Sequence, residues 1–237
     1  MKKYILCILL LFNFNFIIYA QDFFIKESCD FVSSYLYHGS RYGGFSIQPN
    51  IRAAYKGFYV DLWFNIGSYE YRISDASECD IKLGYSNYGL TIEYKHVSVL
   101  NESNCFSYKQ SSAYGLLDLK YNLKRYLNMP IELCAYTRIA GHNLFHTYVE
   151  IKIHKDFRYD ICLSGAIGGS TTKETFNVLC IEATLAKTFK SENFTYKLYV
   201  QGMINPYNIN KENAITFDHN QHLNACIGIS ISPKYVY

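Results

Sequence analysis

The residues best placed to do chemistry are in the run Tyr94-Lys95-His96-Val97-Ser98. In an extended strand His96 and Ser98 stand two positions apart and project from one face. An imidazole there can take the proton of a serine hydroxyl, and Glu102 lies nearby in the chain, so a His-Ser-carboxylate hydrolase acting on lipid is one reading. No oxyanion-hole element can be identified around it. His142 and His146, and likewise His219 and His222, have the spacing of metal ligands, but they fall in polar stretches that read as loops, where histidines are ordinarily only solvated. No HExxH and no phosphate-cradling glycine loop occurs. Neither a cofactor nor a metal is expected.

Charged side chains form the larger set. They recur singly along alternating runs, with Arg52, Lys82, Lys95, Lys120, Arg138, Lys152 and Lys197 on one side of the balance. Against them stand Asp61, Asp80, Glu93, Asp118, Glu132, Glu150, Asp160 and Glu182. Gathered on one face of a sheet, seven positive and eight negative groups can line water in a pore of weak ion selectivity, or satisfy one another in a closed interior.

The elements that must carry them are strands. From Gln21 onward alternation with period 2 recurs and the helical period of 3.6 is hard to find. Phe58, Val60, Leu62, Phe64 and Ile66 alternate with Tyr59, Asp61, Trp63 and Asn65. Leu223, Ala225, Ile227, Ile229 and Ile231 alternate with Asn224, Cys226, Gly228 and Ser230. The pattern predicts about twelve strands, near 28–38, 45–55, 57–67, 78–87, 89–99, 113–122, 130–140, 146–155, 157–168, 175–187, 194–204 and 221–232. A strand of roughly ten residues can cross a bilayer when tilted. Short connections such as Lys56-Gly57 and Tyr88-Gly89 alternate with longer polar ones around 68–77, 100–112 and 206–219. Tyr55, Phe58, Tyr85, Tyr94, Tyr121, Phe157, Tyr159, Phe194 and Tyr196 fall where strands would cross an interface. The expected fold is all-β: a closed antiparallel transmembrane barrel of about twelve strands, between ten and fourteen. Twelve strands imply a narrow or side-chain-occluded lumen.

The remaining composition agrees with an exported chain. Lys2 and Lys3 precede an apolar run that closes at Ala20, the plan of a secretory signal peptide, so residues 1–20 are assigned to that signal and 21–237 to one barrel domain. Cys29, Cys79, Cys105, Cys134, Cys162, Cys180 and Cys226 remain after export, with no CxxC pair, and read mostly as small strand residues. The formal net charge of +3 at pH 7 gives no basis for nucleic-acid binding.

Val32-Ser33-Ser34-Tyr35-Leu36-Tyr37-His38-Gly39, then Gln48-Pro49, then Tyr55-Lys56-Gly57-Phe58-Tyr59-Val60-Asp61-Leu62-Trp63 resemble the opening strands of the TorF-type porins of Gram-negative outer membranes. His38 stands where that family usually has Arg, and the chain ends Pro233-Lys234-Tyr235-Val236-Tyr237, not in an unbroken strand closing on Phe. The resemblance implies an outer-membrane location, outer-membrane lipid and the barrel-assembly machinery as partners, and passive passage of small solutes. The rival readings are a closed structural or adhesive barrel presenting its long loops, and a barrel lipid hydrolase using His96 and Ser98. The His-x-Ser of that last reading resembles one carried by some outer-membrane lipid A deacylases.

Overall fold

The computed structural model describes residues 23–67, 77–100, 108, 113–127, 129–142, 144–172, 175–206 and 223–234. The signal segment 1–20, Glu102, Cys105, His219, His222 and Tyr237 lie outside the described residues.

Ten-residue runs of alternating side chains become strands β1 (Phe23–Val32), β4 (Ser46–Tyr55), β5 (Phe58–Gly67), β6 (Glu78–Asn87), β7 (Leu90–Val99), β8 (Ala113–Asn122), β9 (Ile131–Ala140) and β10 (Thr147–Asp156). Longer ones follow in β11 (Ile161–Thr172), β12 (Thr175–Lys190), β13 (Phe194–Ile204) and β14 (Leu223–Pro233). Each pairs antiparallel with its neighbours, and β1 joins both β14 and β4, so twelve strands close into a barrel with no free edge. Among the described residues only a four-residue helix, α1 (Lys124–Leu127), and a 3-10 turn at Arg158–Asp160 are helical. Among the described residues no helix is long and apolar enough to cross a membrane.

One rim, the short rim, carries the connections at 56–57, 88–89, 157–160 and 191–193 and the described ends of the chain, and the other carries the long connections between β1 and β4, β5 and β6, β7 and β8, and β13 and β14. Lys56-Gly57 and Tyr88-Gly89 turn the short rim with both residues at positive φ (48° and 89°, 50° and 81°), the conformation of a two-residue hairpin that matches strand twist.

The main departure from the expected strands lies between β1 and β4. The predicted strand 28–38 is in fact two things: the wall strand ends at Val32, and residues 35–43 form a small separate hairpin, β2 (Tyr35–Tyr37) and β3 (Ser40–Gly43). Its turn, His38-Gly39, has φ of 48° and 86°, the same chemistry as the rim turns. The second departure is at β11, which begins at Ile161 and not at 157, because Tyr159 and Asp160 take left-handed φ of 64° and 55°.

The two faces of the wall differ sharply. Val60, Leu83, Ile92, Leu119, Ile151, Ile167, Leu185, Val200 and Ile227 all stand outward and exposed, Ile227 at 66%. The opposite face buries Asp61 at 2%, together with Asp80, Glu93, Lys95, Asp118 and Glu150. Inward tyrosines lie across glycines of adjacent strands: a Cβ at Gly84 would sit 2.5 Å from the Tyr59 hydroxyl, and one at Gly228 would sit 2.5 Å from that of Tyr199.

Candidate functional site in the barrel interior

The hairpin β2–β3 identifies the inside. Tyr35 donates to Glu78 of β6 at 3.5 Å, and Lys95 of β7 donates to the Tyr37 hydroxyl at 3.4 Å. The His38 ring stacks on Tyr148 of β10 at 3.9 Å between centroids and tilts against Tyr136 of β9. The Gly39 amide donates to the sulfur of Met203 in β13 at 2.9 Å. A segment touching strands all round the ring must lie within it, so this hairpin folds in from the long-loop rim and crosses the lumen. Gly39 is required twice over, since its φ is +86° and a Cβ there would lie 2.0 Å from the Leu179 carbonyl oxygen of β12. Burial against these rings, with the Lys95 and Lys152 ammonium groups nearby, pushes the His38 imidazole down from 6.5 to about 3, so it is neutral at pH 7.

Around the hairpin the inward charges pair. Asp61 takes Arg52 at 2.7 Å and Lys82 at 3.1 Å, and also accepts from Asn50 at 2.8 Å. Lys95 meets Asp80 at 3.6 Å. Lys120 lies 3.3 Å from Glu93 and 3.8 Å from Asp118, and the Tyr59 hydroxyl donates to Glu93 at 2.6 Å. Lys152 pairs with Glu150 at 3.1 Å, which also accepts from Tyr136. Glu132 stands opposite Lys152 in the register and accepts from the Cys134 thiol. Arg138 lies toward the long-loop rim, its guanidinium 4.3 Å from the Tyr114 ring centroid and donating to the His142 carbonyl.

Two of the expected lumen residues are placed differently from the rest. Asp160 is not in the wall: it sits exposed in the 3-10 turn of the short rim, 3.6 Å from Lys190, because the strand starts one residue later. Lys197 belongs to β13 opposite Ser230 and Thr188 and is exposed near the short rim, with no ion pair among the described residues.

Beneath the hairpin a cavity of about 310 Å³ is lined by Tyr37, His38, Lys95, Asp118, Glu182 and Met203. A second, of about 410 Å³, lies toward the short rim against Glu132, Glu150, Lys152, His154 and Glu182. The two share Glu150, Lys152 and Glu182 and so adjoin. The charged residues were legible as a set in the sequence; the hairpin that crosses between them was not, and its one sequence signal is the turn dipeptide His38-Gly39.

The outward face holds the hydrolytic candidates. His96 Nε2 lies 2.7 Å from the Ser98 hydroxyl, and Nδ1 lies 2.7 Å from the Tyr108 hydroxyl, itself 2.6 Å from that of Tyr94. The serine and base are thus brought together, with a tyrosine where a carboxylate would orient the ring. Ser98 is 1% exposed.

No family model matches the chain, and no curated protein matches it. Among solved structures, an anion-selective porin from Comamonas acidovorans aligns over 82% of this chain at 9% identity, with a TM-score of 0.32. This chain covers 60% of that porin's length. Likeness at that level adds nothing to the strand pairing itself.

Proposed function

We propose that this chain is a porin-like barrel of the Gram-negative outer membrane, TorF-type in character, that passes small solutes through a narrow charged lumen constricted by its own hairpin. The observation that carries this reading is the inverted distribution of polarity: a closed wall with exposed Leu, Ile and Val outside and ion pairs inside. Soluble monomers rarely expose contiguous apolar patches beyond a few hundred Å². Lipid is the solvent that suits such a surface, and closure pairs the wall's backbone groups within it. Tyr55, Phe58, Tyr85, Phe157 and Tyr159 are exposed at the short rim, where an aromatic girdle would meet the headgroups. By the habit of such barrels the short rim faces the periplasm and the long loops face outward. Outer-membrane lipid, the assembly machinery during insertion and small solutes are then its partners.

Two measurements test this. A refolded sample should migrate differently with and without boiling, and liposomes containing it should swell in small sugars. A folded sample that gives no flux, either as the full chain or with 34–44 replaced by a short Gly-Ser turn, would leave a closed structural or adhesive barrel instead.

The contact between His96 and Ser98 favours a second reading, hydrolysis of a lipid ester at the outer face. Residues covering Ser98 would have to move to admit substrate. Fatty-acid release from phospholipid or lipid A that disappears in both His96→Ala and Ser98→Ala would establish it; release unchanged in those variants would eliminate it.

A further inference from the structure

At the short rim, one turn brings together three side chains of different donor type. His154 and Asp156 stand two positions apart on β10, on the face that carries Glu150 and Lys152, and Cys162 at the start of β11 lies directly opposite Asp156 in the register. His154 Nε2 is 2.9 Å from Asp156 Oδ1, and the Cys162 sulfur lies beside the imidazole, 3.4 Å from Nδ1 and 3.6 Å from Nε2. One donor atom from each residue fits within 4.8 Å of the others, and among the described residues no other group of three such donors forms. Zinc bonds of about 2.0–2.1 Å to nitrogen or oxygen and about 2.3 Å to sulfur place tetrahedral donors roughly 3.3–3.7 Å apart. The His154–Cys162 separation of 3.6 Å falls in that range and the His154–Asp156 contact of 2.9 Å must open to reach it, while all three donors lie within 4.8 Å of one another.

The rest of the surroundings agrees. Cys162 is the one described cysteine that is not buried. The connection from Asp156 to Ile161 is short and closed by the Phe157 amide donating to the Ile161 carbonyl at 2.7 Å, so the two strand ends are held before any ion arrives. The neighbouring cavity, which His154 lines, carries the carboxylates of Glu132, Glu150 and Glu182.

We propose that His154, Asp156 and Cys162 form a binding site for a divalent ion of the zinc class at the short-rim mouth of the barrel. A nitrogen, a sulfur and an oxygen donor select zinc, cobalt, nickel or copper over magnesium and calcium, which take oxygen ligands. Three protein donors leave a fourth position for water. The thiol gives up its proton to solvent as the metal–sulfur bond forms, so uptake strengthens with rising pH.

Untagged, refolded full-length chain in detergent is titrated with Co²⁺, then with Zn²⁺ in competition. The expected result is one equivalent bound, a thiolate-to-cobalt charge-transfer absorption, and displacement by Zn²⁺. Cys162→Ser should abolish that absorption, and His154→Ala should weaken uptake by more than the ~10–100-fold typical of losing an outer-shell partner. Cys226→Ser, at a buried thiol, and His146→Ala, in the long-rim connection, should change neither. A wild-type protein without the absorption, or uptake that survives His154→Ala and Cys162→Ser, overturns the proposal whatever the barrel conducts.

Discussion

From β4 to β10 the inward wall carries Arg52, Asp61, Asp80, Lys82, Glu93, Lys95, Asp118, Lys120, Glu150 and Lys152, each paired within 4 Å. From β11 through β14 the same face carries mostly smaller residues, among them Ser164, Ala166, Gly168, Cys180, Thr184, Ala186, Cys226, Gly228 and Ser230, beside the larger Tyr199, Gln201 and Met203, with Glu182, Lys190 and Lys197 as its charges. The charged half fills space with long side chains that neutralise one another. The small half leaves space, and the tip of the hairpin lands there, with Gly39 against the Leu179–Cys180 backbone and bonded to Met203. One half of the wall thus stabilises the barrel through ion pairs, and the other receives a plug that needs close backbone approach.

The largest effect should follow from separating plug from wall. Replacing residues 34–44 by a short Gly-Ser turn removes the only described segment that crosses the lumen and leaves every wall pair in place. Single-channel conductance in planar bilayers should rise several-fold, while heat-modifiable migration is retained. Unchanged conductance would mean that the wall side chains, not the hairpin, set the passage.

Within the charged half, Asp61→Ala leaves Arg52 and Lys82 facing each other without their shared carboxylate. Removing one partner of a fully buried pair costs about 3–5 kcal/mol. With Arg52 37% and Lys82 20% exposed, hydration offsets part of that, and a loss of about 2 kcal/mol is expected from the urea midpoint of the refolded barrel. Thr184→Ala in the small half should stay within about 0.5 kcal/mol.

The small half has its own sensitive point. Gly228→Val would drive a side chain into the Tyr199 ring, for which overpacking costs typically about 1–3 kcal/mol. Gly202→Val, on the outward face of β13 with nothing within 4 Å of its added Cβ, should leave stability close to wild type in the same denaturation series. Equal losses at both positions would show that strand propensity, not the tyrosine-over-glycine fit, decides.

What the sequence could reveal follows the range of each interaction. Face assignment is local, so period 2 placed Asp61, Lys82 and Glu93 on one side and Val60, Leu83 and Ile92 on the other. Pairing is not local: that Asp61 meets both Arg52 and Lys82 depends on the register of three strands, which no single run contains. The hairpin was hidden for a related reason. Tyr35-Leu36-Tyr37 alternates as a wall strand does, and nothing in its period tells whether the chain continues up the wall or folds across the lumen. Phe157-Arg158-Tyr159-Asp160 misled similarly, since its alternation masked two left-handed residues that end the turn and put Asp160 on the rim. The His96–Ser98 contact was legible because both members share one strand face; Tyr108, arriving from another segment, was not.

The finest test of the comparison is acidic pH, because His38 is the titratable group at the plug's tip. It faces Tyr37 on its own hairpin, Tyr136 and Tyr148 on β9 and β10, and the ammonium groups of Lys95 and Lys152, and it shares its cavity with the carboxylates of Glu93, Asp118, Glu150 and Glu182, of which Glu93, Asp118 and Glu150 are paired with lysines. Docked, its imidazole titrates at about 3; released into water it returns toward 6.5. The released state therefore binds the proton more readily, and docking is at full strength above pH 6.5. It weakens by about 1.4 kcal/mol for each unit below that until the docked pKa is reached, by the linkage of proton binding to conformation. Near pH 5.5 the docked-to-released ratio should have fallen about tenfold, seen as more frequent openings in bilayer recordings. His38→Asn keeps a residue suited to positive φ in the turn and removes the titration, so its openings should be independent of pH over the same range. A wild-type response that persists in His38→Asn would place the acid-sensitive contact in the ion pairs of the charged half.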